Sequence, residues 1–185
     1  MKAGIQKERD LKNKAFILPI IFFFVVVIFY FAKHQSTPRI AKVGSLAPDI
    51  ELTDTQNNKL KLSELKGDVV FINFWASWCQ PCIDEIPSIE ALYRYFSGNT
   101  NFKMITILYQ DDKNTVPGYM KQRGYTFPIY NDPKGSAAKQ FGITGVPETY
   151  IIDKKGTLRN KVIGPSEWDS PTVIEAFQSL INEPN

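Results

Sequence analysis

Fifteen residues, Asn73 to Pro87 (NFWASWCQPCIDEIP), constrain this chain more than any other stretch. They contain both of its cysteines, Cys79 and Cys82, with two residues between them. Upstream, Val69 to Phe74 is an apolar run of β-forming residues. Downstream, Ile83 to Phe96 repeats its apolar residues with helical period. The pair therefore falls where a strand becomes a helix, with Cys79 at the N-cap. A side chain there faces the free N–H groups of the first turn and the positive end of the helix dipole. A sulfur so placed is held better as thiolate than as thiol, which makes it reactive. Pro81 falls in the first turn, where its missing N–H removes no intrahelical bond.

Three chemistries are open to such a pair. A structural disulfide would close a four-residue loop and contribute about 2 kcal/mol, the low end of the range. A zinc half-site would need two further Cys or His ligands. The chain has no other cysteine, and its one histidine is His34. A cycling dithiol/disulfide needs nothing more, and C-x-x-C at a strand-to-helix junction favours it.

Ala15 to Ala32 is an 18-residue run without a charge. As a helix it would be about 27 Å long, close to the thickness of a bilayer's hydrocarbon core. The 14 residues before it carry five basic and two acidic side chains. That favours a cytoplasmic N-terminus and an exported remainder. Phe31-Ala32-Lys33 offers no A-x-A cleavage pattern, so a retained anchor is expected. The organisation read here is a cytoplasmic N-terminus over 1–14, a transmembrane anchor over 15–32, a linker over 33–42 and one domain over 43–185. The whole chain is +3, and the residues after the first 14 carry 17 charges of each sign. The basic balance belongs to the anchor, and no nucleic-acid partner is implied.

Within the domain, Ile50-Glu51-Leu52 reads as a short edge strand and Asp54 to Lys59 as a polar turn. Ser63 to Gly67 reads as one helical turn capped by Ser63. Val69 to Phe74 and Phe102 to Tyr109 are buried strands, and a long helix runs from Gln80 to about Ser97 across Pro87. Val116 to Arg123 and Ser136 to Phe141 are shorter helices, each followed by glycine, with Phe127 to Tyr130 extended between them. Thr149 to Ile152 and Leu158 to Ile163 flank a hairpin turn, and a last helix covers Pro171 to Ile181. Alternating strands and helices predict an α/β domain, a central sheet with helices on both faces. Asp84 and Glu90 read as surface charges, and Tyr109 to Asp112 as a solvated loop.

WASWCQPC, followed by Glu85 and Pro87, and the distant GVPETYIID (Gly145 to Asp153) resemble the membrane-anchored thioredoxin-like proteins of the TlpA/ResA/CcmG type. The resemblance covers about residues 43 to 182. It implies a thioredoxin-like fold with a central mixed β-sheet, an N-terminal transmembrane helix, and an insert over about Thr115 to Phe141. It also implies a protein-disulfide reductase outside the bacterial cytoplasm, commonly in cytochrome c maturation. The expected location is a bacterial cell membrane, single-pass, with the domain on the extracytoplasmic, periplasmic side. The expected partners are a membrane thiol-transfer protein as electron donor and the haem-site disulfide of apocytochrome c as acceptor. A monomer is expected, with no metal and no cofactor beyond the redox-active Cys79–Cys82 disulfide.

The candidate site follows from both kinds of reading. Cys79, the cap residue near the surface, is the attacking thiol, and Cys82, one turn inward, resolves the mixed disulfide. Glu85 lies three residues after Cys82 on the same helix face. By position alone it is a solvated first-turn acid. The resemblance implies a partly buried glutamate that tunes the thiols and handles protons. Pro147 by itself is ordinary loop chemistry. The resemblance implies a cis proline against the disulfide, with Val146 turned so that its backbone can pair with an incoming peptide. Trp78 is read as a partly exposed rim residue that contacts substrate, Trp75 as packing, and Trp168 as core. Gln80 between the cysteines is uncharged, so the family's redox potential does not transfer. A copper chaperone on this fold would use C-x-x-x-C and a distant histidine. A peroxidase of the peroxiredoxin type would place a threonine where Ala76 stands. Neither pattern is present.

Overall fold

The computed structural model describes residues 23–30 and 40–184. Residues 23–30 are helical. The remainder of the predicted anchor, and residues 31–39 of the anchor end and linker, lie outside the described residues. Among the described residues no helix is long and apolar enough to cross a membrane.

Residues 40–184 build a seven-stranded mixed sheet. Its strands are β1 (Glu51–Asp54), β2 (Lys59–Lys61), β3 (Val69–Trp75), β4 (Phe102–Leu108), β5 (Ile129–Asn131), β6 (Glu148–Ile152) and β7 (Leu158–Ile163). They lie in the order β2-β1-β5-β4-β3-β6-β7. The helices are α1 (Gln80–Phe96), α2 (Val116–Arg123), α3 (Ser136–Phe141) and α4 (Pro171–Asn182), with a 3-10 turn at Leu62–Leu65. β3 pairs in parallel with β4, Val69 opposite Phe102, and antiparallel with β6, Val70 opposite Ile152. Parallel β3 and β4 require a crossover, and α1 supplies it.

All seven residues of β3 are buried, as expected of a central strand covered on both faces. Its side chains divide between two apolar layers. Phe71 and Trp75 pack with Ile86, Ile89, Leu92, Trp168 and Phe177. Val70, Ile72 and Phe74 pack with Phe141, Tyr150 and Ile152. The period-2 alternation of one strand thus ties α1 and α4 to one face and α3 to the other.

Three sequence expectations change here. The first strand is not an edge: β1 pairs with β2 on one side and β5 on the other, so β2 is the edge, within what reads as a polar turn and its exit. Three-residue β2 exists because β1 offers it a partner, a non-local cause. Second, Ser63 caps nothing. The 3-10 turn starts from Lys61, while the Ser63 N–H and Oγ both donate to Asp49, each at 2.9 Å.

Third, Glu90 is not a surface charge: it is 6% exposed. Its carboxylate accepts from the N–H groups of Thr126 and Phe127 and from the Thr126 hydroxyl, and it pairs with Arg94. Glu90 therefore pins the start of the β5 segment to α1. Burial pushes its carboxyl up, but the donors from Thr126, Arg94 and Phe127 outweigh burial and hold it below the usual range.

A folded-state pKa below the unfolded one gives stability that is present above the ordinary glutamate value and lost as pH falls through the folded value. Glu90→Gln is accordingly expected to destabilise the domain by about 1–3 kcal/mol at pH 7 and by distinctly less near pH 3.5. Urea denaturation at the two pH values measures this, and an equal loss at both would contradict it.

Candidate active site

The junction predicted from sequence is present. Cys79 has extended φ/ψ at the N-cap of α1, and its Sγ accepts from the Cys82 N–H at 3.2 Å. Pro81 occupies the first turn, and α1 runs on through Pro87 to Phe96. Cys79 and Cys82 are joined in a disulfide with 5.3 Å between their Cα atoms. Cys79 is 6% exposed and Cys82 0%, so Cys79 is less open than its cap position suggests. The packing of the facing 146–147 loop accounts for this. Of the two cysteines, only Cys79 retains any exposed surface.

That loop comes from the far end of the sequence. The Val146–Pro147 peptide is cis. The Val146 carbonyl oxygen lies 3.4 Å from Cys79 Sγ. Register brings them together: Glu148, the first residue of β6, sits opposite Phe74 near the end of β3. Gly164, just after β7, donates its N–H to the Pro147 carbonyl at 2.9 Å and closes the loop's other side.

Glu85 is buried, not a solvated first-turn acid. Its Oε1 accepts from Asn73 Nδ2 at 2.9 Å. Its Oε2 accepts from Trp168 Nε1 at 3.0 Å and from the Ser166 N–H at 3.1 Å. Burial pushes the carboxyl above its usual range, and the bonds from Trp168, Asn73 and Ser166 offset only part of that push. Ser88, one turn further along α1, has its Oγ 2.8 Å from the Glu85 carbonyl and accepts from the Trp168 N–H at 3.1 Å. The helix thus fastens the segment that supplies two of the three donors.

Trp78 is 60% exposed beside Cys79, whereas Trp75 is buried packing. The Trp78 indole is held, because its Nε1 donates to the Gln110 carbonyl at 3.1 Å. Asp111 takes the Ser77 N–H on one carboxylate oxygen and the Ser77 hydroxyl on the other. The loop after β4, expected to be solvated, therefore clamps the two residues that precede Cys79. Gln110 adopts φ +49 there.

Sequence reasoning placed Cys79, Cys82, Glu85, Trp78, Val146 and Pro147 in one site, and the structure gathers them at one end of β3 and β6. It missed Asn73, Ser166, Trp168 and Asp111, which hold Glu85 and the cysteine loop. Trp168 lies 83 residues from Glu85, and no local pattern connects them. Glu148, beside Pro147, also went unread: it is buried, and its Oε2 lies 2.8 Å from Lys161 Nζ.

Residues 43–161 match the AhpC/TSA family. The thiol-disulfide oxidoreductase ResA of Bacillus subtilis is 29% identical over 177 residues, 96% of each chain. Among solved structures, a putative protein disulfide isomerase from Bacteroides thetaiotaomicron matches with a TM-score of 0.70 and 27% identity, over 78% of this chain and 92% of that one. A putative thiol:disulfide interchange protein DsbE from Chlorobium tepidum matches with a TM-score of 0.62 and 27% identity, over 76% and 96%. The chain belongs to the AhpC/TSA family, on a thioredoxin-like fold. Its activity is that of a thiol-disulfide oxidoreductase.

Two outcomes test the surroundings of the sulfurs. Glu85 has a folded-state pKa above its unfolded value, so its favourable contribution is complete below the ordinary glutamate pKa and is lost as pH rises through the folded value. Glu85→Gln removes that loss, so the variant should gain stability relative to the parent as pH rises from 4 to 8. A pH-independent difference in thermal midpoint would be the contrary result. Asp111→Ala should slow reduction of a disulfide peptide by about fivefold through loosening of Ser77 and Trp78, with little change in overall stability. Stopped-flow exchange kinetics on the reduced protein reads this directly.

Proposed function

We propose that this thiol-disulfide oxidoreductase is a reductant anchored in a bacterial membrane with its domain on the extracytoplasmic side. Its electrons come from a membrane thiol-transfer protein, and its substrate is the haem-site disulfide of apocytochrome c. The observation that carries the chemistry is the disulfide at the N-terminus of α1, with Cys79 the cysteine that retains exposed surface. The anchor rests on the uncharged run over 15–32 and the basic residues before it. The substrate rests on the resemblance carried by WASWCQPC and GVPETYIID. A reductant working in an oxidising compartment needs a donor, which is why a second membrane protein belongs to the reading.

In the reduced protein the Cys79 thiolate attacks one sulfur of the substrate disulfide. The substrate S–S bond breaks, a mixed disulfide forms, and the released substrate sulfur takes up a proton. Cys82 then gives its proton to the Glu85 carboxylate and attacks Cys79 Sγ. The Cys79–Cys82 bond forms as the Cys79–substrate bond breaks, and the second substrate sulfur leaves as a thiolate and takes up a proton from solvent. Two electrons have moved to the substrate, which departs as a dithiol. Val146 and Pro147 offer backbone for an extended substrate segment, and Trp78 forms the rim beside it.

A broader envelope disulfide reductase or oxidase would use the same atoms. The Bacteroides neighbour is described as a putative isomerase, and uncharged Gln80 leaves the potential open. Cys82→Ser in native membranes should trap a mixed disulfide through Cys79, with a c-type apocytochrome among the captured proteins. Capture through Cys82 in Cys79→Ser would reverse the roles. The pair's reduction potential should lie below about −200 mV, and a markedly higher value would make the protein an oxidant.

A further inference from the structure

Asn73 sits on β3 with no exposure to solvent. Its Nδ2 donates to Glu85 Oε1 and to Thr149 Oγ1, each at 2.9 Å. Its Oδ1 has no hydrogen-bond partner among the described residues. A buried side-chain acceptor left empty is uncommon in a native core and calls for a cause.

The two oxygens of Glu85 are not equivalent. Among the described residues, Oε2 accepts from two donors, Trp168 Nε1 and the Ser166 N–H, while Oε1 accepts from Asn73 alone. A proton arriving at this carboxyl therefore goes to Oε1, the oxygen with fewer donors. The Asn73 NH2 would then face an O–H, donor against donor. A half-turn of the carboxamide removes the conflict. Oδ1 moves to face both Oε1–H and Thr149, whose hydroxyl can rotate from acceptor to donor. The NH2 takes the position Oδ1 held.

We propose that Asn73 is a positioning residue for Glu85, fixing its carboxyl in both protonation states by donating through Nδ2 to the ionised form and accepting through Oδ1 from the protonated form. The groups facing Glu85 come from every element around it. They are Asn73 on β3, with Thr149 of β6 behind it, and the Ser166 N–H and Trp168 before α4. On α1 itself, Ser88 Oγ meets the Glu85 backbone carbonyl rather than the carboxyl, and Cys82 lies one turn earlier in the helix. Among the described residues, none of the groups bonded to the carboxyl is a cation or a second carboxylate. Burial raises the proton affinity, the neutral donors offset part of that rise, and of the side chains bonded to the carboxyl Asn73 is the one with both a donor and an acceptor end. Thr149 lies two residues after Pro147, so the carboxamide also joins Glu85 to the strand that carries the substrate-facing loop.

The inference rests on the proposed proton role of Glu85, and the experiment separates the two. The full chain, reduced and in detergent, is labelled with carboxyl-13C glutamate and titrated by NMR. Glu85→Gln assigns the Glu85 resonance by its disappearance. Asn73→Ala should raise the Glu85 midpoint by about one pH unit, tenfold in proton affinity, because the bond lost from the ionised carboxylate is charge-assisted and stronger than the one lost from the protonated form. Asn73→Asp, close to the native shape, places a second carboxyl against Oε1. The two then share a proton, and the upper midpoint should rise further than in Asn73→Ala. A residue that merely fills the core would move neither midpoint, so unchanged titration in both variants overturns the proposal. Release of the mixed disulfide by Cys82, followed against pH, should shift in the same direction. A shifted midpoint with a release profile indifferent to Glu85→Gln leaves the positioning role standing and removes the proton role of Glu85.

Discussion

At the joint between β3 and α1, the Cys82 N–H donates to Cys79 Sγ. The first-turn N–H groups of a helix have no intrahelical acceptor, and here a sulfur takes one of them. Everything else in the site is arranged around that bond. β3, buried along its whole length, fixes where the turn occurs. Asp111 and Gln110 hold the two residues that lead into it. The 146–147 loop closes over it from β6. A helix N-terminus is a feature of many folds. What distinguishes this one is that two distant segments, the loop after β4 and the 146–147 loop, close around the cysteine pair.

The three buried glutamates show how environment sets a carboxyl's behaviour. Glu90 and Glu148 are as shielded from solvent as Glu85, or nearly so. Burial pushes all three up. Glu90 has Arg94 and the Thr126 and Phe127 donors, and Glu148 has Lys161 and Tyr150, and both end below the usual range. Among the described residues Glu85 has only neutral donors, and it ends above that range. Opposite charge offsets desolvation more effectively than uncharged N–H groups do. Of the three, the carboxyl one turn after Cys82 on α1 is thus the one left able to hold a proton at higher pH, as a group that exchanges protons with a thiol requires.

A single strand register links these parts. Asn73 lies opposite Thr149 on β6 and reaches Glu85 on α1, and one residue further Phe74 lies opposite Glu148. A slip of one residue would turn Asn73 to the far face of the sheet, away from α1. The packing of Phe71 and Trp75 with Trp168 and Phe177 on one face, and of Phe74 with Phe141 and Tyr150 on the other, resists such a slip. The apolar core therefore maintains the geometry of the polar site.

Local pattern alone determined a good deal. The apolar run before Cys79, the helical period after it and Pro81 in the first turn placed the strand, the helix and the N-cap sulfur, because each depends on neighbours within a few residues. The spacing of the later helices and the hairpin was legible for the same reason. Tertiary structure decided what depends on distant partners. Strand β2 formed because β1 was there to pair with it. Glu90 and Glu85, both acids on one helix, were buried because the β5 segment and Trp168 covered them. The loop after β4 became a clamp because Ser77 and Trp78 came within its reach. Periodicity reports which face a residue occupies, but the chemistry of a carboxyl depends on what the rest of the chain places against that face.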